Sequence, residues 1–195
     1  APLVSAAVRY RDLMLRCQVV GSPAVSGGTV IGIRVFRSWQ GDVKRTAKSF
    51  SFLRGQENSL EEERRAMVAE IRAGSEGADV EAFLGKLVSE RLNVIVSGGT
   101  STGNTTLTNA LLAEVAKTED RVVIIEDTRE LQCTAPNLVA MRTKDGVASL
   151  SELVRSSLRL RPDRIPIGEV RGSEALDLLK AWGTGHPGGI GTIHA

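Results

Sequence analysis

Cysteine is nearly absent: Cys17 and Cys133 are the only two in 195 residues. They lie far apart and form no C-x-x-C pair, which argues against a disulfide scaffold or a thiolate metal site and leaves both as reduced thiols. Histidine is equally scarce, and the spacing of His186 and His194 fits no zinc motif such as H-E-x-x-H. No apolar run approaches the roughly 20 residues that span a bilayer, and the N-terminus has neither the basic region nor the apolar run of a signal peptide. A cytoplasmic protein is expected, with a peripheral membrane dock still open. Charge of one sign is also lacking: 25 Lys and Arg against 23 Asp and Glu leave a formal net charge of +2, too small to point to a nucleic-acid partner.

What is present is an ordinary globular composition, 42% hydrophobic and 25% charged, in a chain long enough to bury roughly 70% of its unfolded surface. The text begins at Ala1 without methionine and stops at His194-Ala195, directly after the strand-like Gly189–Ile193, so a longer parent protein is expected.

From Ala6 to about Phe36 the pattern is β-like. Strand candidates Met14–Val20 and Thr29–Val35 flank the turn-rich Gly21–Gly28, as in the tail of a small sheet domain, 1–37. Residues 38–58 carry Lys, Arg and Ser with little periodicity and read as a linker. Ser59 and Glu62 have capping-box spacing and open a predicted helix that Gly74–Gly77 ends. A second helix places Val80, Phe83, Leu84, Leu87 and Val88 on one face.

From Leu92 onward strands and helices alternate. Strand 93–97 leads to helix 105–117; strand 121–126 is followed by strand 138–141, helix 149–160, strand 164–170, helix 173–182 and a last strand at 189–193. Continuous apolar strands between amphipathic helices predict an α/β fold with a mostly parallel sheet covered on both faces. Pro166 is a misfit, because a central strand needs an amide donor there.

Four stretches carry chemistry. The first, Gly98-Gly99-Thr100-Ser101-Thr102-Gly103-Asn104-Thr105-Thr106, follows a strand and opens a helix, the order a phosphate-binding P-loop requires. Its glycines let backbone amides turn inward around phosphates, Thr105 holds the hydroxyl position that serves magnesium, and Thr106 can meet the first phosphate. The lysine position holds Asn104 instead. An asparagine is neutral and too short to reach terminal phosphates, and losing one such preorganised stabiliser slows turnover by about 100- to 1,000-fold. The backbone cradle is thus expected to bind nucleotide while hydrolysis is impaired.

The second stretch, Glu126-Asp127-Thr128-Arg129-Glu130, puts carboxylates at the carboxyl end of the next strand, the end that faces ligands in such sheets. Taken alone, it reads equally well as a solvated acidic loop. The third, Arg161 to Gly172, closes an apolar strand on Glu169, the Walker-B arrangement that binds magnesium or polarises water. The fourth runs from Gly183 through His186 to His194 in glycine-rich text, where a phosphate sensor would sit.

In this order the four stretches resemble the traffic ATPases of type II and type IV secretion, with an "Asp box" at Glu126–Glu130 and a "His box" ending at His194. The resemblance is close from about Phe83 to Ala195, weaker over Arg16 to Arg37, and absent over Lys44 to Gly77. It implies a RecA-like P-loop NTPase core at 59–195, lacking its C-terminal part and preceded by a partial N-terminal sheet domain. It also implies ATP and Mg2+ as cofactors, a homo-hexameric ring, and docking on inner-membrane components of a conjugative secretion system at the cytoplasmic face. Direct sequence-specific nucleic-acid binding is not expected. By position, the resemblance gives Glu130 as general base, Glu169 for magnesium and water, Asp127 and Thr105 as further magnesium contacts, His194 and His186 near the terminal phosphate, and Arg16 and Arg34 as nucleotide-contacting arginines from the sheet domain. Two other classes compete: a nucleotide-binding but non-hydrolysing regulatory or interaction member of the same ring, and another P-loop phosphotransferase.

Overall fold

The computed structural model describes residues 2–36, 57–75, 79–172 and 174–193. The proposed linker at 38–58 therefore lies almost wholly outside the described residues, as does His194.

The N-terminal stretch is a three-stranded antiparallel sheet of β1 (Leu3–Tyr10), β2 (Leu13–Val20) and β3 (Val30–Phe36) in that order. Two helices follow, α1 (Glu57–Ser75) and α2 (Val80–Ser89). Helix α1 starts two residues ahead of the expected cap at Ser59, whereas α2 has a true side-chain cap, Asp79 accepting from the Ala82 amide at 2.9 Å. The remainder is β4 (Val94–Ser97), α3 (Asn104–Val115), β5 (Arg121–Glu126), β6 (Asn137–Arg142), α4 (Leu150–Ser157), α5 (Glu174–Gly183) and β7 (Ile190–Ile193). Helix α4 opens on a complete capping box, Ser149 with Glu152.

Strand β5 pairs with β6 and β4 with β7, both parallel. The segment between these pairs is 164–168, bridged to β5 at Val122 and Ile125 and to β7 at Gly191. The resulting order is β6, β5, segment 164–168, β7, β4: the mostly parallel sheet expected. The predicted strand at 164–170 is corrected to this irregular segment. Pro166 has no amide to give the ladder, so it only accepts, from the Ile125 amide at 3.0 Å, while Ile167 donates to Ile190 at 2.7 Å.

Apolar side chains from both sheet faces form two buried clusters. One, around Leu111, Leu112, Val115, Val122 and Ile124, packs α2 and α3 on the sheet. The other joins Val123, Ile125, Met141, Leu153, Ile165, Ile167 and Trp182 to Val20 of β2 and to Ala24 and Val25 in the β2–β3 connection, so the N-terminal sheet is seated on the core rather than tethered beside it. A backbone bond from the Arg142 amide to Ala24 O at 2.8 Å fastens the same junction. Among the described residues no helix is long and apolar enough to cross a membrane.

Two close contacts fix the sheet. Trp182 is 3% exposed, its indole Nε1 donates to Ile165 O at 3.1 Å, and a Cβ on Gly189 would lie 2.0 Å from the indole. One residue before Ile165, Arg164, 2% exposed, donates to Asp120 at 2.6 Å and to Val88 O at 2.9 Å, and Arg91 donates to the same Asp120 carboxylate. Burial alone pushes the Asp120 carboxyl up, but the hydrogen bonds and charges of Arg164 and Arg91 together bring it below its ordinary value of 3.8.

Gly189→Ala is expected to cost about 1–3 kcal/mol or more through overpacking against Trp182, read as a lower urea midpoint. Asp120→Ala leaves Arg164 buried without its carboxylate and is expected to cost about 3–5 kcal/mol. Because the folded Asp120 titrates below its ordinary value, its contribution is present above pH 3.8 and fades as pH falls through the folded pKa. Urea titrations across this acid range should therefore give a flatter stability profile for Asp120→Ala than for the parent chain.

Candidate functional site

Parallel strands share one direction, so the carboxyl ends of β4, β5, segment 164–168 and β7 meet along one edge of the sheet. A cavity of about 450 Å³ opens there. Its wall takes in most of the P-loop from Gly99 to Thr106, with Asp127, Glu130 and Glu169 facing it from the other strand ends. Gly98 and Thr102 belong to the same loop without lining the cavity: the Gly98 amide continues the β4–β7 ladder to Ile193 O at 3.4 Å, and the Thr102 hydroxyl donates to Gly99 O at 2.7 Å.

The loop turns into α3 through Gly103, whose φ of 98° lies in the left-handed region, and no side chain caps the helix. The first-turn amides of α3 therefore face the cavity's P-loop wall without a side-chain acceptor, the arrangement that favours an anion. Asn104 does not reach across the cavity. Its Nδ2 donates to Gly98 O at 2.9 Å and its Oδ1, 3.2 Å from the Thr102 hydroxyl, shares that hydroxyl's one proton with Gly99 O, so the side chain ties the loop to itself.

The acidic wall is built by backbone geometry. Glu126 is 5% exposed and its Oε2 accepts from the amides of Glu130 and Leu131, each at 3.0 Å, which curls the chain back and aims Glu130 at the P-loop. The Thr105 hydroxyl then donates to Glu130 Oε2 at 3.3 Å, and Asn109 accepts from the Gln132 amide at 2.9 Å, docking the acidic turn on α3. Glu169 receives the guanidinium of Arg171, which also lies 3.5 Å from Asp127. The hydrogen bond that it donates to Glu169 and the charges of the nearby carboxylates hold the Arg171 guanidinium above its ordinary pKa. The donor set, a threonine hydroxyl with the Asp127 and Glu169 carboxylates, suits a hard divalent cation such as magnesium, which typically takes one or two carboxylates and fills its other positions with phosphate and water.

Arg16, Arg34 and His186 are not brought to this cavity. Arg16 and Arg34 are cross-strand partners on β2 and β3, both over the Phe36 ring, and line a separate cavity of about 630 Å³ with Arg159 and Arg161. His186 lines that second cavity as well, its Nδ1 2.9 Å from Pro162 O. The reason is chain direction: His186 precedes β7, so it lies at the amino edge of the sheet, opposite the P-loop. Three residues that the sequence reading did not single out do line the phosphate-side cavity, namely Thr192, Gly168 and Arg171. The charge next to Glu169 was a visible signal for Arg171, whereas Thr192, whose hydroxyl bonds Gly168 O, is placed by tertiary pairing alone.

A model of the family described as type II/IV secretion system protein matches residues 60–195. The chain is 51% identical over 127 residues to a probable conjugal transfer protein TrbB of Sinorhizobium fredii, covering 64% of this chain and 39% of that protein. It is 36% identical over 187 residues to a putative conjugal transfer protein of Mycobacterium tuberculosis, covering 93% of this chain and 46% of the other. The crystal structure of the VirB11 ATPase from the Brucella suis type IV secretion system, in complex with sulphate, superposes with a TM-score of 0.82 at 31% identity over 100% of this chain and 58% of that one. The chain thus spans less than half the length of these two curated relatives. On this match, and with the P-loop and acidic strand ends sharing one cavity, the chain belongs to the type II/IV secretion system protein family.

Proposed function

We propose that this chain is the nucleotide-binding part of a conjugative type IV secretion ATPase, a RecA-like subunit that works in a homo-hexameric ring at the cytoplasmic face of the inner membrane, with hydrolysis impaired by Asn104. The observation that carries this reading is the convergence of the P-loop, Asp127, Glu130 and Glu169 on one cavity. The TrbB and VirB11 relatives support the conjugative and type IV setting. The sheet domain at 1–37, the linker at 38–58 and the ATPase domain at 59–195 are the proposed division of the chain.

In this reading the P-loop amides cradle the phosphates, and Thr105, Asp127 and Glu169 would hold a magnesium ion, which when bound offsets phosphate charge. Glu130 accepts a proton from the attacking water, positioned for that by the amide bonds to Glu126. Arg16 and Arg34 line a cavity that shares no residue with the P-loop cavity, and in this reading they contact a nucleotide held by a neighbouring subunit. His194 follows Ile193, whose carbonyl accepts from the Gly98 amide, and is proposed as the phosphate-contacting histidine on that chain position. A second reading, a nucleotide-binding ring member that does not hydrolyse, is favoured by the Asn104 side chain being engaged within the loop.

Steady-state ATP hydrolysis separates them. Asn104→Lys is expected to raise turnover by about 100- to 1,000-fold; robust and equal activity in both chains would show the lysine to be dispensable, and tight binding without turnover in either would favour the second reading. In the Asn104→Lys background, Glu130→Gln should lower kcat by about 100-fold or more with nucleotide affinity nearly unchanged, checked by pairing turnover with equilibrium binding.

A further inference from the structure

The P-loop cavity has an unfavourable charge balance for its proposed ligand. Asp127, Glu130 and Glu169 line it, and among the described lining residues only Arg171 is cationic. A P-loop ordinarily adds a lysine. Here that position is Asn104, which is neutral and whose amide is committed to Gly98 O and the Thr102 hydroxyl. A triphosphate entering this cavity would meet backbone amides on one side and carboxylates on the other.

Arg171 is built to reach that ligand. Its backbone is anchored: its own amide and that of Gly172 donate to Glu174 Oε1 at 2.9 and 2.8 Å, and the Val170 amide donates to Thr192 O at 3.0 Å, continuing alongside β7. Its side chain, by contrast, is 67% exposed and bridges two of the site's three carboxylates, Glu169 through Nη2 and Asp127 through Nη1. A guanidinium has five donors in a planar fork that matches phosphate oxygens, so a small swing along the cavity wall exchanges carboxylate for phosphate acceptors. Both carboxylates that it leaves belong to the proposed magnesium contacts, so the exchange removes the guanidinium from the proposed ligands of the cation that accompanies a triphosphate.

We propose that Arg171 supplies the terminal phosphates with the positive charge that Asn104 cannot, moving from Glu169 and Asp127 onto the nucleotide when it binds. This rests on the P-loop reading above. It makes Arg171 a binding residue whose effect grows with the number of phosphates, which a merely structural partner of Glu169 would not produce.

The test is a fluorescence titration with N-methylanthraniloyl derivatives of ATP, ADP and AMP in magnesium at one salt concentration. It uses four chains: the parent, Arg171→Ala, Asn104→Lys and the double variant, with Arg171→Gln as a second neutral replacement and melting curves to establish that all are folded. Arg171→Ala is expected to weaken ATP binding by about 10- to 150-fold, the range of one charge-assisted hydrogen bond, and to weaken AMP binding far less. In the Asn104→Lys background the same change should cost under about threefold, because the two cations serve the same phosphates and their effects couple. Unchanged ATP affinity in Arg171→Ala, an equal loss for ATP and AMP, or an equal loss in both backgrounds overturns the role of Arg171. Binding by Asn104→Lys but not by the parent overturns it too while sparing the P-loop reading. Failure of both to bind any nucleotide overturns the two together.

Discussion

One buried guanidinium holds the amino edge of this molecule in register. Arg164 reaches Asp120 before β5 and Val88 O at the end of α2, and lies so near Gly188 before β7 that a Cβ there would be 2.6 Å from its Nη1. Three elements distant in sequence are therefore tied to one side chain at the start of the irregular segment 164–168. A buried charge is costly unless all its donors and its counter-charge are placed, so this arrangement tolerates few alternative pairings of the strands. That specificity matters because Pro166 deprives the same segment of a ladder bond.

Register at one edge determines chemistry at the other. Val123 bonds to Arg164, Ile125 to Pro166, and Gly168 back to Ile125, so the ladder carries the alignment set by Arg164 forward to the strand ends. Glu126 and Glu169 then emerge at neighbouring positions, with Thr192 of β7 between the Glu169 segment and the P-loop strand. A slip of one residue would turn Glu126 away from the Glu130 and Leu131 amides and leave those donors without their acceptor. Buried Glu126 thus belongs to the positioning of the acidic wall rather than to the wall itself.

What was legible in the sequence follows from how local each signal is. Strand β5 was read with its observed bounds because Val122–Ile125 is a continuous apolar run between charged residues, and α4 from the face shared by Leu150, Leu153, Val154 and Leu158, although the helix predicted over 149–160 ends at Ser157. The P-loop, the acidic turn and Glu169 were likewise visible, each being a short pattern at a strand end. Signals that depend on folding were not. Strand β1 lacks the turn chemistry that would set it apart, Thr192 acquires its place only through β4, and α1 starts at Glu57, ahead of the capping-box spacing at Ser59. Arg16, Arg34 and His186 matched by position in the sequence, yet they line a separate cavity, because the two arginines sit on the N-terminal sheet and His186 precedes β7 at the amino edge of the parallel sheet.

Asn104 is best understood as two separate changes to the loop. Removing the lysine takes away a charge that would have worked across the cavity. Adding an amide supplies a donor and an acceptor that work within it, to Gly98 and Thr102, at the point where the chain must pass through the left-handed Gly103. In the proposed reading, the second change ties together the cradle that the first one weakens as a catalyst. Backbone amides and a helix start need only shape to hold phosphate, and shape is what Asn104 reinforces; a terminal phosphate in the transition state needs charge, and the remaining cation on that wall is Arg171. In the proposed reading, binding and turnover, usually joined in one lysine, fall to different residues.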